Sequence, residues 1–241
     1  MNNRTTPRSD GRLGLHGSGA AFADLSHEIV SGATAYPGLP QPELTSYLTH
    51  EQSRKSYDEG YQFQTSRLCM VGQTGTYLDT PLHAFPDGYD LSGLDLRRVA
   101  QVPACVVDTD EREISAACFA RLGRRALEGR AVLIRTGWSR YWGTETYANG
   151  DHPHLTGEAA RFLADAGPAV VGIDSLNIDD TRGRARPAHY AILGAGIPLV
   201  EHLTNLHELP TGGARFTAVP VPVAGMGTFP VRALASWSRW T

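Results

Sequence analysis

The chain has 241 residues, 41% of them hydrophobic and 20% charged, and a formal net charge of -3. That length buries a substantial core, and the balance is ordinary for a globular protein. The charge gives no reason to expect nucleic acid or a membrane surface as partner, and no apolar run approaches a membrane span.

Residues 1–20 are polar and rich in Gly, Ser and Arg, lack the apolar core of a signal peptide, and read as a flexible tail. The folded domain is expected over 21–241, with AFADLSHEIV (21–30) as its first strand. SGATAYPGLPQP (31–42) carries too much Gly and Pro for regular structure. Residues 61–70 read as a strand leading into VGQTGTYLDTPLH (71–83). There Asp79 and His83 stand four apart, a helical spacing that Pro81 disfavours, so the chain should turn at Gly75 and run extended. ACVVDT (104–109) is a buried-strand run, followed by a helix that Ser115 caps, Phe119, Leu122 and Ala126 line, and Gly129 ends.

AVLIRTGW (131–138) is the next buried strand. Residues 139–155 form a long loop whose tryptophan and tyrosines suit the cover of a pocket, with His152 and His154 as loop residues. Thr156 caps a helix through Ala166, with Phe162 and Leu163 facing inward and Gly167 stopping it. AVVGIDS (169–175) is strand, Pro187 opens a helix, and IPLVEHL (197–203) is strand again. RFTAVPVPVAG (215–225) closes the core, its prolines pointing to an edge or irregular strand. This alternation argues for one α/β domain with a largely buried sheet. The three cysteines, Cys69, Cys105 and Cys118, show no paired spacing, which fits free thiols in a reducing, cytoplasmic setting.

Chemistry-bearing residues recur at three places: Asp79 with His83, His189 after Pro187, and Glu201 directly after four apolar residues. Singly, each has a plain reading. Asp79 suits a turn, His189 suits a satisfied helix histidine, and Glu201 suits a pair with an arginine of RGRAR (182–186). Together, two carboxylates and a histidine with an open position match the mixed oxygen and nitrogen preference of Zn²⁺ or Mn²⁺.

From DLSH (24–27) to about residue 225 the sequence resembles the cyclase family whose best-known members are bacterial kynurenine formamidases. The family signature H-x-G-T-H-x-D-x-P-x-H is matched by QTGTYLDTPLH (73–83), and AYPG (35–38), LIRTGWS (133–139) and VGIDSLNID (171–179) match further. A histidine and a glutamate twelve residues apart complete the pattern, as His189 and Glu201 do. The resemblance implies a mixed sheet flanked by helices, association into a homodimer or tetramer, and metal-dependent hydrolysis of a small molecule. It implies Asp79, His189 and Glu201 as metal ligands and His83 as the catalytic acid–base residue, with Tyr36 against the substrate.

Two signature histidines are replaced here by Gln73 and Tyr77, and Leu39 stands where many relatives carry an aspartate. An amide oxygen and a neutral phenol are poor ligands beside imidazole, so one divalent ion, Zn²⁺ or Mn²⁺, is expected, with Gln73 as an auxiliary donor. Tyr77 is expected instead to donate a hydrogen bond to the substrate oxygen. Tyr36, Phe85 and Trp138 would form an apolar pocket for an aromatic or planar substrate with an amide, formamide-like or lactone bond. The alternatives are a ring-closing cyclase or lyase acting on a polyketide-like substrate, and a binding protein of the same fold that has lost catalysis.

Overall fold

The computed structural model describes residues 19–33 and 36–238; residues 1–18 of the expected tail lie outside them. The strands in chain order are β1 (Ala20–Asp24), β2 (Glu43–Leu48), β3 (Thr65–Cys69), β4 (Tyr77–Asp79), β5 (Val102–Asp108), β6 (Glu113–Ile114) and β7 (Ala131–Arg135). They continue with β8 (His154–Leu155), β9 (Val170–Ile173), β10 (Leu199–Glu201), β11 (Arg215–Thr217), β12 (Thr228–Pro230) and β13 (Leu234–Ser238). The helices are α1 (His50–Ser53), α2 (Ala117–Ala120), α3 (Glu145–Ala148), α4 (Gly157–Ala166) and α5 (Pro187–Gly194).

Nine strands form one mixed sheet in the order β1-β13-β11-β5-β7-β9-β10-β4-β12. Its centre, β5-β7-β9-β10, is parallel, as the strand–helix alternation of the middle sequence requires. Antiparallel β4 and β12 extend it on one side, and β11, β13 and β1 on the other. The α/β reading therefore holds, with helices against the sheet.

The period of two along a strand sorts the core into two layers. Val132, Ile134, Val171, Ile173 and Leu199 bury against Leu163 of α4 and Ile192 of α5. Their neighbours Leu133, Val170 and Val200 bury on the opposite face with Leu78, Leu203 and Phe216. Each such side chain, fully buried, contributes roughly 1.5–3 kcal/mol of hydrophobic stabilisation.

α4 forms as its residues dictate. Thr156 accepts from the Ala159 amide at 3.2 Å, and Gly167 ends the helix in the left-handed conformation. α2 departs from expectation. It is a single turn without a Ser115 side-chain cap, and the chain reverses at Gly123 (φ 78°) before a separate 3₁₀ turn at Arg124–Ala126. Leu122 accordingly lies 41% exposed. β11 is short but interior, between β13 and β5, so the prolines of the 215–225 segment fall beyond the strand and mark no edge. The 139–155 loop holds α3 and β8, and His152 and His154, expected as loop residues, are both buried. His152 sits between the hydroxyls of Ser175 (3.2 Å) and Thr181 (3.1 Å). Separate from the main sheet, β2 and β3 form a hairpin that exposes Leu44, Tyr47 and Leu68.

Candidate active site

The site follows from the register of three short strands. β4 lies between β10 and β12, pairing Tyr77 with Glu201 and Asp79 with both Leu199 and Thr228. Two residues apart on a strand, Tyr77 and Asp79 project to one face while Leu78 enters the core on the other. Pairing becomes hydrogen bonding: the Tyr77 hydroxyl donates to Glu201 Oε2 at 2.6 Å, and the Thr228 hydroxyl donates to Asp79 Oδ1. Beyond Asp79 the chain forms a 3₁₀ turn, Pro81–His83, which brings His83 Nδ1 to 3.8 Å from Asp79 Oδ1. The sharp turn before the strand is made at Gly75, φ 65°.

This turn closes tightly on β12. A Cβ on Gly227 would lie 2.5 Å from the His83 backbone nitrogen, so only glycine permits the approach. Thr228 then reaches His83 Nδ1 at 3.1 Å. Its one hydroxyl proton goes to Asp79, so His83 Nδ1 must donate and Nε2 keeps its lone pair. Burial, aided by the charge of His189, lowers the His83 pKa and keeps the ring neutral, while 33% of the side chain remains exposed.

His189 enters from α5. Asp179 accepts from the Ala188 and His189 amides at 2.7 and 3.1 Å, satisfying donors at the helix N-terminus, and from His189 Nδ1 at 2.6 Å. The ring is thereby aimed with Nε2 at 3.9 Å from Asp79 Oδ2 and 3.8 Å from Glu201 Oε2. Burial alone would lower its pKa; Glu201, the Asp179 hydrogen bond and Asp79 outweigh that and raise it to about 9. Burial raises Asp79 to about 6 and raises Glu201 as well.

Asp79, His83 and His189 each offer one ligand atom, all within 4.8 Å of one another. Asp79 Oδ2 is buried without a hydrogen-bond partner. A histidine fixed by a carboxylate on one nitrogen, with its other nitrogen facing that orphaned oxygen, is the arrangement that protein metal ligands adopt. The residues present therefore fit a divalent cation. Glu201 borders the group through His189, but Tyr77 and the Ile178 amide, 2.7 Å from Oε1, occupy its oxygens.

Above lies a cavity of about 380 Å³, a volume suited to a small ligand. Of the residues singled out in the sequence, Tyr36, Gln73, Tyr77, His83, His189 and Glu201 line it, and Asp79 lies buried beneath. Phe85 and Trp138 do not line it. Phe85 packs on α5 at Gly194 and Tyr190, and Trp138 stacks edge-on against Tyr141 with its indole nitrogen 3.3 Å from the Tyr147 carbonyl. Tyr77, expected to donate to substrate, has its single proton committed to Glu201. Among the described residues Glu201 makes no arginine pair, and Arg182 binds Asp180 at 2.8 Å. His202 is fully buried behind the site, its Nε2 2.7 Å from the Leu176 carbonyl, and His207 is exposed. Asn177, Arg186 and Tyr190 line the cavity too, as do Leu39 and Ala84. No motif marks Arg186 in the sequence except its place before the helix-opening Pro187.

The relatives that the chain resembles are named as hydrolases, and the chain is an enzyme of that class. The profile described as "Putative cyclase" matches residues 23–180, and the chain belongs to that family. A kynurenine formamidase of Salinibacter ruber is 28% identical over 217 residues, covering 89% of this chain and 96% of the relative. A solved structure described as a predicted metal-dependent hydrolase from Bacillus stearothermophilus superposes with a TM-score of 0.71 at 27% identity, covering 90% and 98% of the two chains. Isatin hydrolase A from Labrenzia aggregata, bound to benzyl benzoate, shares the fold with a TM-score of 0.78 at 24% identity, over 94% and 97%.

Proposed function

We propose that this protein hydrolyses an amide, formamide-like or lactone bond of an aromatic or planar small molecule, using one divalent ion. The observation that carries the reading is the convergence of the orphaned Asp79 Oδ2, His189 Nε2 and His83 beneath the cavity. Asp79 and His189 would hold the ion, with Glu201 Oε2, 3.8 Å from His189 Nε2, beside them. When bound, it supplies positive charge that polarises the scissile carbonyl and acidifies the attacking water.

The remaining chemistry belongs to the chain. The neutral His83 keeps Nε2 as its acceptor, since Nδ1 carries the proton and donates to the Thr228 hydroxyl. In this reading Nε2 takes a proton from the attacking water and returns it to the leaving nitrogen or oxygen as the carbon–heteroatom bond breaks, help worth ~10²–10⁴-fold. Asp179 holds the His189 ring, and Tyr77 with the Ile178 amide holds the Glu201 carboxylate. Tyr36, Leu39 and Tyr190 give the cavity an apolar wall that suits a flat ring, and Gln73 and Asn177 add amide groups. The reading is tested with Zn²⁺- or Mn²⁺-loaded protein on aryl formamides, cyclic amides and aryl lactones, beside His83→Ala. Turnover on one class, lost in folded His83→Ala, supports it; no turnover on any class overturns it.

A further inference from the structure

Arg186 stands apart from the rest of the site because neither the fold nor the proposed chemistry uses its charge. Preceding Pro187, it is kept out of the helical conformation and sits at φ -129°, ψ 58° at the start of α5. One terminal nitrogen donates to three carbonyls of its own loop, Asp180 at 3.3 Å, Gly183 at 3.0 Å and Ala185 at 2.8 Å. Among the described residues no carboxylate forms an ion pair with it, although Arg182 in the same loop pairs with Asp180. The guanidinium is thus anchored by one arm on the cavity wall, with its other N–H groups meeting no acceptor among the described residues. Its field reaches Tyr36, opposing the rise that burial and Glu201 impose on that phenol.

No lysine or other arginine lines the cavity among the described residues. Its floor is the opposite: the carboxylates Asp79, Glu201 and Asp179 surround His189. A ligand anion is favoured at Arg186, whose planar fork matches carboxylate geometry. We propose that Arg186 is a substrate-recognition residue and that the substrate carries a carboxylate apart from its scissile bond. The carboxylate docks on Arg186 while the bond to be cleaved points at the floor. This deepens the hydrolase reading and rests on it for the word substrate, but not for the anion site itself.

The experiment pairs formanilide with 2-, 3- and 4-formamidobenzoate, probes that differ only in a ring carboxylate, on metal-loaded protein. At least one carboxylate probe should show the higher kcat/KM in the wild type. In Arg186→Leu the ratio of that value to the formanilide value should fall by about ten- to a hundredfold, with partial recovery in Arg186→Lys. A ratio is insensitive to a general loss of active protein, and circular dichroism with thermal melting confirms that each variant folds. Calorimetric binding of benzoate against benzamide gives a second readout independent of turnover. Benzoate binding that weakens in Arg186→Leu and Arg186→Lys supports the anion site even if no probe is cleaved, in which case the hydrolase reading alone fails. Equal probe ratios in wild type and variants, or benzoate held equally by Arg186→Leu, would overturn the proposal.

Discussion

Protein stripped of divalent ions should lose stability as pH rises from 6.5 to 9, and His189 should be the cause. Its folded pKa is about 9 against an ordinary value of 6.5, so the folded state holds this proton more tightly than the unfolded chain. The stabilisation is fully present below pH 6.5 and is lost as pH passes through about 9. At ~1.36 kcal/mol per pH unit the interval amounts to about 3 kcal/mol, and the group is buried enough that solvent screening does not reduce it. For a domain of this size the loss corresponds to roughly 6–12 °C in Tm. The folded pKa values of His27 and His152, about 4, and of His202, about 3, lie below their ordinary value, so those rings act mainly below pH 6.5, and the slope that belongs to His189 is the part lost in the comparison variant. Thermal melts in chelator from pH 6.5 to 9.5 measure the slope, with His189→Asn as the comparison. A flat wild-type profile, or the same slope in His189→Asn, would falsify the assignment. Saturating Zn²⁺ should flatten the wild-type slope, because the ion takes the place of the proton.

Three further outcomes are expected. Tyr77→Phe should destabilise the metal-free fold by about 1–3 kcal/mol, because it strips the buried Glu201 Oε2 of its donor, and should tighten divalent-ion binding, because that oxygen becomes free to ligate; unchanged stability and affinity in melts and a metal titration would make the phenol a packing group. Gly227→Ala should cost about 1–3 kcal/mol and most of the activity, since the new methyl meets the His83 backbone, whereas Gly212→Ala has open space and should change neither. The β2–β3 hairpin, with Leu44, Tyr47 and Leu68 exposed, should be covered by a second copy, so light scattering at micromolar concentration should report a dimer or larger; a monomer would refute this.

The parts of the molecule legible in the sequence are those fixed by local chemistry. α4 carries its cap, apolar stripe and glycine stop within a dozen residues, and the structure repeats them at Thr156, Leu163 and Gly167. The buried parallel strands announce themselves as apolar runs. β12 and β13 do not, because three- and five-residue strands gain their identity from the partners they pair with. The failed helix after Ser115 has the same origin. Its apolar spacing satisfied a helical period, but Gly123 at φ 78° turned the chain first. At the site, Asp79, His83 and His189 could be singled out by residue type together with the resemblance to the family signature, yet their supports could not. Thr228 lies 145 residues from His83, and only β12 beside β4 makes it a neighbour. Asp179 was contained in a matched motif, but its role appears only when α5 docks above it. Phe85 and Trp138, singled out for their aromatic character, lie outside the cavity lining, since such character also suits packing on α5 and within the 139–155 segment.

The substitutions at Gln73 and Tyr77 acquire a physical meaning from the same geometry. An imidazole at position 77 would face Glu201 as a second potential ligand, with both groups open to an ion. The phenol instead donates to Glu201, and the Ile178 amide takes the other oxygen. The carboxylate is thereby held by the protein itself, and Asp79 Oδ2 is left as the only buried carboxylate oxygen among the described residues without a partner. Gln73, on the cavity wall, offers a neutral amide where a histidine would add a strong donor. Each change removes ligand capacity from the same side of the site and leaves the Asp79–His189 side intact. Among the described residues one group, Asp79, His83 and His189, could hold an ion, and Arg186 borders the cavity above it. On the cavity wall Arg186 supplies a fixed positive charge of its own, which as proposed attracts a ligand's anion.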